Sequence, residues 1–314
     1  IRYEGQTFEA GYSGTITKVT LNARAVGSPP NGLEVQIRDS VSNKPGTTVY
    51  ASVTRTDIAG WSTYDFTFPS PPSVTAGTTY AIVVKTTGGD SVSNFYRVRY
   101  QNTDVYAGGR RCLSTDGGTS WSGKSHDHYF ATYVEVEDVD QSQTSSDKGW
   151  GIYGTRYLAQ TFQAGINGAL TRITLRLKKA GTPPNALEVQ IRDATGGDLP
   201  GSTVYASATK APGDIGTSYA DYDFTFSSPP SVTSGTKYTI VLKTESGDSD
   251  NKYVARYQNA DIYANGRRCT TTDGGTTWSG KTDDLYFQTY VTVTQYIPGS
   301  TCLLYTSPSP RDLS

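Results

Sequence analysis

Methionine is absent from the 314 residues, histidine occurs twice and cysteine three times. With no initiator methionine, the chain is expected to begin inside a longer reading frame, so the lack of a leader says nothing about secretion. Charge is scarce too: 18% of residues are charged and the net charge is -1. That excludes a strongly basic nucleic-acid binder and an acidic tail protein. Apolar runs are short, as in Ala81-Ile82-Val83-Val84, so no segment inserts in a membrane as an apolar helix. The cysteines offer no disulfide framework, because Cys112 and Cys269 occupy equivalent points and Cys302 stands in an unrelated tail. They read as small buried thiols, and an extracellular home is not excluded, since domains of this size build adequate cores.

Tyrosine (23), glycine (33) and proline (15) are plentiful, the composition of a β-rich, turn-rich protein. The length suits two domains, and the chain repeats itself. Leu33-Glu34-Val35-Gln36-Ile37-Arg38-Asp39 returns as Leu187-Glu188-Val189-Gln190-Ile191-Arg192-Asp193. Gln6-Thr7-Phe8 returns at Gln160, Tyr64–Phe68 at Tyr222, Gly109–Cys112 at Gly266, and Trp121–Lys124 at Trp278. The offset drifts between 154 and 158, as loop indels would make it. A period near 157 fits a domain rather than a solenoid repeat. The expected domains are 1–137, lacking its opening strand, and 138–296, with a tail at 297–314. The seam is placed where the strand Phe130–Val136 gives way to the polar lead-in Asp140–Asp147. Net charge is zero over 1–137 and -1 over 138–301, so neither copy presents a strong field. The run Cys302 to Asp312 matches eleven codons of a transposase-type sequencing adapter, and residues 302–314 are expected to pack on neither domain.

Period-two alternation marks the strands: Ile173/Leu175/Leu177, Leu187/Val189/Ile191, Tyr222/Phe224/Phe226 and Tyr238/Ile240/Leu242. Each should turn one face inward and the other to solvent. Turn chemistry separates them, as in Gly181-Thr182-Pro183-Pro184-Asn185 and Thr195-Gly196-Gly197-Asp198. No helical stripe occurs. The fold class is all-β: two tandem antiparallel β-sandwich domains, jelly-roll-like in topology.

The order of motifs resembles a family. Gln-Thr-Phe-x-Ala-Gly, Leu-Glu-Val-Gln-Ile-Arg-Asp, Pro-Gly-x-Thr-Val-Tyr-Ala-Ser, Ser-Pro-Pro-Ser-Val-Thr-x-Gly-Thr-x-Tyr, Tyr-Ala-x-Gly and Asp-Gly-Gly-Thr-x-Trp succeed one another in each copy. This resembles the choice-of-anchor R type of domain over nearly all of residues 1–295. The resemblance implies a β-sandwich module of large microbial surface or secreted proteins, and it supplies no catalytic residues.

Five constellations could carry chemistry. Ser114–Trp121 and Thr271–Trp278 follow the Asp-box pattern, with Asp116, Gly118 and Trp121 matched by Asp273, Gly275 and Trp278. Such boxes occur in sialidases, but at several per propeller and away from the active site. One per domain reads as a structural hairpin, in which the carboxylate accepts turn N–H groups. His126-Asp127-His128 could be half of a zinc site. With Asp283-Asp284-Leu285 in the second copy and no further histidine, exposed strand residues are the expectation, and no metal. Ser246-Gly247-Asp248-Ser249-Asp250-Asn251 has oxygen ligands for Ca²⁺ but too few carboxylates, and reads as a solvated turn. Tyr100, Asn102, Tyr106 and Arg110, with Tyr257, Asn259, Tyr263 and Arg267, put rings beside amides and guanidinium groups. Sugar-binding faces have that chemistry. A glycoside hydrolase would need two convergent carboxylates, and no pair stands out. The expectation is a non-catalytic extracellular or cell-surface module pair for adhesion or carbohydrate binding, without cofactors. Its partners would be a polysaccharide or cell-surface glycan and other domains of the same polypeptide. The alternative is a spacer with no ligand.

Overall fold

A computed structural model describes residues 2–90 and 92–299, so Cys302 and the 302–314 tail lie outside the described residues. The protein is an all-β sandwich, and a single 3-10 turn at Pro212–Asp214 is its only helical piece among the described residues. It divides into two compact units. The first takes residues up to Val136 together with 294–299, and the second takes Glu137–Val293.

In the first unit one antiparallel sheet orders its strands Ser122–Gly123, Arg111–Ser114, Tyr3–Glu9, Thr79–Lys85, Leu33–Val41 and Lys44–Arg55. The facing sheet is built on Gly14–Val26, which pairs with Phe130–Glu135, Ser62–Thr67, Ser73–Val74 and Phe95–Val98. The second unit repeats both sheets, on Tyr157–Gln163 and Gly168–Ala180. The chain crosses repeatedly between the two sheets, with Leu33–Val41 and Lys44–Arg55 joined as a hairpin within one of them. Alternation decides which side chains meet in the core. Phe8, Ile16, Val19, Leu21, Val35, Ile37, Phe66 and Ile82 fill the first, and Leu158, Phe162, Ile173, Leu175, Val189, Ile191, Phe224 and Ile240 the second.

Three expectations need correction. Alternation does not leave one face of every strand in solvent: Val83 and Ala81, like Val241 and Ala159, point away from the core yet are fully buried. A second small cluster covers them, made in the second unit of Ala159, Val241 and Cys269 under Leu199 and Trp278. The strand does not give way at Val136 but continues to Gln143, half-way into the polar lead-in. Its side chains find polar partners: Asp140 accepts the N–H groups of Gly165 (2.9 Å) and Ile166 (3.0 Å), and Gln143 donates to the carbonyl of Leu285 (3.0 Å). Finally, Asp127 and His128 are buried, not exposed. Residues 294–298 supply the first unit with a segment of its own, where Ile297 packs against the core and Tyr296 lies 5.3 Å from Tyr133.

Candidate functional site: the outer face of the six-stranded sheet

The sequence-derived tyrosines separate into different environments. Tyr100 is 44% exposed, and the Arg111 guanidinium lies 4.1 Å from its ring centroid with the His126 ring 5.1 Å away. Tyr257 is half-buried over Arg268 at 4.0 Å. Tyr106 and Tyr263 are not available for stacking. Tyr263 is 8% exposed, its ring meets Phe287 edge-on at 5.2 Å, and its hydroxyl donates to Gln141 (2.8 Å). Tyr106 is half-buried against Phe130, and its hydroxyl bonds the backbone of Glu9. The cause is a buried carboxylate. Asp127 accepts the N–H groups of Val105 and Tyr106 (both 3.0 Å), and Asp284 those of Ile262 and Tyr263 (both 2.8 Å), which turns each ring inward. Gln6 and Gln160 lock these carboxylates at 2.9 and 3.1 Å. Asn102, Asn259, Arg110 and Arg267 are exposed, but Tyr106 and Tyr263, two of the rings expected beside them, face the core.

The Asp-box segments are self-contained turns. Asp116 accepts the N–H of Ser120 (3.0 Å) and bonds the hydroxyls of Ser114 and Ser120, while Ser114 accepts the N–H of Gly118 (2.7 Å). Asp273 does the same with Thr277 and Thr271. These bonds hold both carboxyls far below the usual range. Gly118 and Gly275 sit at φ 91° and 90°, where a side chain would be strained. Trp121 and Trp278 then fold back over the sheet beside Cys112 and Cys269. Burial pushes those thiols up to about 11 and about 12, so both are poor nucleophiles. The Asp248 carboxylate is spent on the N–H groups of Asp250 and Asn251 (both 2.8 Å). Among the described residues no group of three or more His, Cys, Asp or Glu side chains could hold a metal, and no helix is long and apolar enough to cross a membrane.

Another constellation emerges from strand register. On the solvent-reaching face of the six-stranded sheet, Glu34 pairs across to Lys85 on one side and Thr54 on the other, and Gln36 to Val83 and Ser52. Tyr3 extends the first row, with the Lys85 ammonium 5.9 Å from its ring. A hydrogen-bond ladder runs along the central strand. Arg38 Nε donates to Gln36 (2.7 Å), the Gln36 amide donates to Glu34, and Lys85 pairs with Glu34 at 3.3 Å. Burial pulls the Arg38 guanidinium down, opposed by Tyr3, Glu34 and Asp39. The second unit builds the same shelf from Tyr157, Lys243, Glu188, Thr209, Gln190, Ser207 and Arg192. There Arg192 Nε lies 2.7 Å from Gln190, and Gln190 Nε2 lies 2.7 Å from Glu188. All seven residue types are identical between the units.

The opposite sheet differs. Along its central strand, Lys18, Asn22 and Arg24 face solvent in the first unit where Arg172, Arg176 and Lys178 stand in the second. Those three positions differ between the units while the seven shelf residues do not, although Gly5 and Ala81 beside the shelf become Ala159 and Thr239. The sequence held a signal for this, since Glu, Gln and Arg on the polar alternation of Leu33–Asp39 recur unchanged. What it lacked was the identity of the strands that bring Tyr3, Lys85, Ser52 and Thr54 alongside.

No known protein family matches the chain, and no curated protein does. Similar solved structures include the cysteine protease and lectin-like domains of Cwp84, a surface layer associated protein of Clostridium difficile. That match has 12% identity and a TM-score of 0.35, covering 90% of this chain and 63% of that one. The chain thus spans less than two thirds of its length. The tandem CBM22-1-CBM22-2 domain of Paenibacillus barcinonensis Xyn10C is similar at 11% identity and a TM-score of 0.14, covering 91% and 77%. The infectious bursal disease virus Gx strain structure is similar at 12% identity and a TM-score of 0.19, covering 95% and 72%. At such TM-scores these likenesses carry no functional argument; the fold rests on the strand pairings themselves.

Proposed function

We propose that the chain is a non-catalytic module pair that binds a polysaccharide or cell-surface glycan, as part of a larger extracellular or cell-surface microbial protein. The motif order that resembles choice-of-anchor R domains agrees with this reading. The observation that carries it is the duplicated shelf: the partly exposed Tyr3, Lys85, Glu34 and Arg38 recur as Tyr157, Lys243, Glu188 and Arg192, braced by the buried Gln36 and Gln190. A spacer has reason to repeat its core and its turns, but less reason to repeat this set of partly exposed aromatic and charged residues. Aromatic, amide, carboxylate and guanidinium groups in one shallow row match the CH faces and hydroxyls of a sugar. The chain is read as non-catalytic because its buried carboxylates Asp127 and Asp284 are consumed by backbone N–H groups and glutamine amides.

Each shelf is small and solvent-competed, so one unit should bind weakly, with affinity in the range of roughly millimolar to micromolar. Two on one chain gain by effective concentration. The test is co-sedimentation of the full chain with insoluble neutral polysaccharides, comparing the parent with Tyr3→Ala/Tyr157→Ala and Glu34→Gln/Glu188→Gln. Retention without release of soluble sugar, lost in both double variants with the melting temperature preserved, is the expected result. A folded parent that no polysaccharide retains would return the pair to the spacer reading.

A further inference from the structure

We propose that the first unit carries a second site, for an acidic, uronate-bearing polysaccharide, formed by Arg24, Arg97, Arg99 and Trp61. It rests on the glycan-binding reading for its ligand class but lies on the other sheet. Arg24 stands directly opposite Arg97 across an antiparallel pair. Arg99 follows on the same face, with its N–H on the carbonyl of Asn22 (2.8 Å). Trp61 is 40% exposed, and the Arg24 and Arg99 guanidinium carbons lie 5.2 and 5.1 Å from its ring.

Three arginines stand together there around one indole, and Arg24, Arg97 and Arg99, like several other arginines of the chain, pair with no carboxylate among the described residues. The Nε of Arg24 is shielded from solvent and donates to nothing. Like charges facing each other across a strand pair are destabilising. In a protein of net charge -1, such a cluster is a local feature, which a bound anion would relieve. Guanidinium forks match carboxylates bidentately, and the exposed part of an indole gives an apolar wall for a sugar ring. A duplex nucleic acid is a poorer fit, since its binders neutralise many phosphates over a broad basic surface, and Lys18 nearby on this face is already paired with Asp65.

The second unit lacks the same set. Tyr219 replaces Trp61, Lys178 replaces Arg24 and Val254 replaces Arg97. Lys178 and Arg256 still lie 4.9 and 4.8 Å from the Tyr219 ring, so the second unit keeps a reduced version of the cluster. The second unit should therefore bind such a ligand more weakly than the first, and it names substitutions the fold tolerates: Arg97→Val and Trp61→Tyr.

The experiment is affinity electrophoresis of the full chain in gels containing polygalacturonate, with neutral xylan gels and a duplex-DNA titration alongside. The parent should be retarded by polygalacturonate, less so as salt rises. Arg97→Val should weaken retardation about tenfold, the loss of one charge-assisted bidentate contact. Trp61→Tyr should weaken it less. The proposal is overturned if polygalacturonate does not retard the folded parent, if Arg97→Val changes nothing, or if duplex DNA binds as tightly. Retention by neutral polysaccharides that persists while polygalacturonate fails would remove this site alone and leave the shelf standing.

Discussion

Beneath Tyr100 and beneath Tyr257 the two units solve one problem in two ways. Each buries a guanidinium under the ring, Arg111 in the first and Arg268 in the second. In the first unit the balancing carboxylate comes from the neighbouring strand. Glu4 grips Arg111 with two bonds of 2.9 Å, and the imidazoles of His126 and His128 complete the cluster at 2.9 Å from Arg111 and 3.4 Å from Glu4. In the second unit Leu158 stands in place of Glu4, and Asp283 in place of His126 grips Arg268 from the other side at 2.6 and 2.7 Å. The charge under the tyrosine is retained and its partner has moved. A buried cation thus constrains the presence of an acid within reach more than the strand that provides it, because an unpaired buried charge is far costlier than either arrangement.

The sharpest test of that comparison is Glu4→Leu, which should destabilise the first unit by about 3 kcal/mol by leaving Arg111 buried without its acid. Adding His126→Asp and His128→Leu rebuilds the second unit's arrangement and should restore most of the loss. Urea denaturation of the three chains checks this, and a triple variant no more stable than the single one would break the equivalence. Acid gives a smaller, graded effect. Burial alone would raise the Glu4 carboxyl, but the His128 and Arg111 contacts outweigh it and hold it at about 2. The stability this contributes is full above the ordinary value of 4.5 and is lost as pH falls towards about 2. Hydrogen exchange in the Tyr3–Glu9 strand should accordingly speed up as the pH falls towards about 2. The smallest effect should come from the Asp-box turns. Asp116→Ala and Asp273→Ala should each lower the melting temperature by a few degrees and by similar amounts, since both carboxylates make the same turn bonds. Loss of glycan retention without loss of stability would instead place these aspartates in the binding face.

Much of the fold was legible in the chain. The repeat, the alternation of Ile173, Leu175 and Leu177, and the proline–glycine turns suffice for an all-β sandwich, because local sterics and burial of every second side chain are properties of adjacent residues. The candidate sites were less so. Tyr263 and Tyr100 look alike in sequence, each an aromatic beside polar neighbours, yet one packs on Phe287 and the other faces solvent. The difference comes from Asp284, distant in sequence, which draws the Tyr263 backbone inward.

By itself, then, the sequence determined the class of fold, the duplication, the turn positions and the polar alternation of Glu34, Gln36 and Arg38. Each depends on residues within a few positions of one another. Only the tertiary structure decided that Tyr3, Lys85 and Thr54 join that row, that Val83 and Val241 are buried on their outer faces, and that Arg24 stands opposite Arg97 with no acid nearby. These are questions of strand neighbour and register, settled by which pairings bury the apolar faces of the whole unit at once. A one-residue slip would turn every side chain of a strand to its other face, and nothing within a single strand records which partner it will meet.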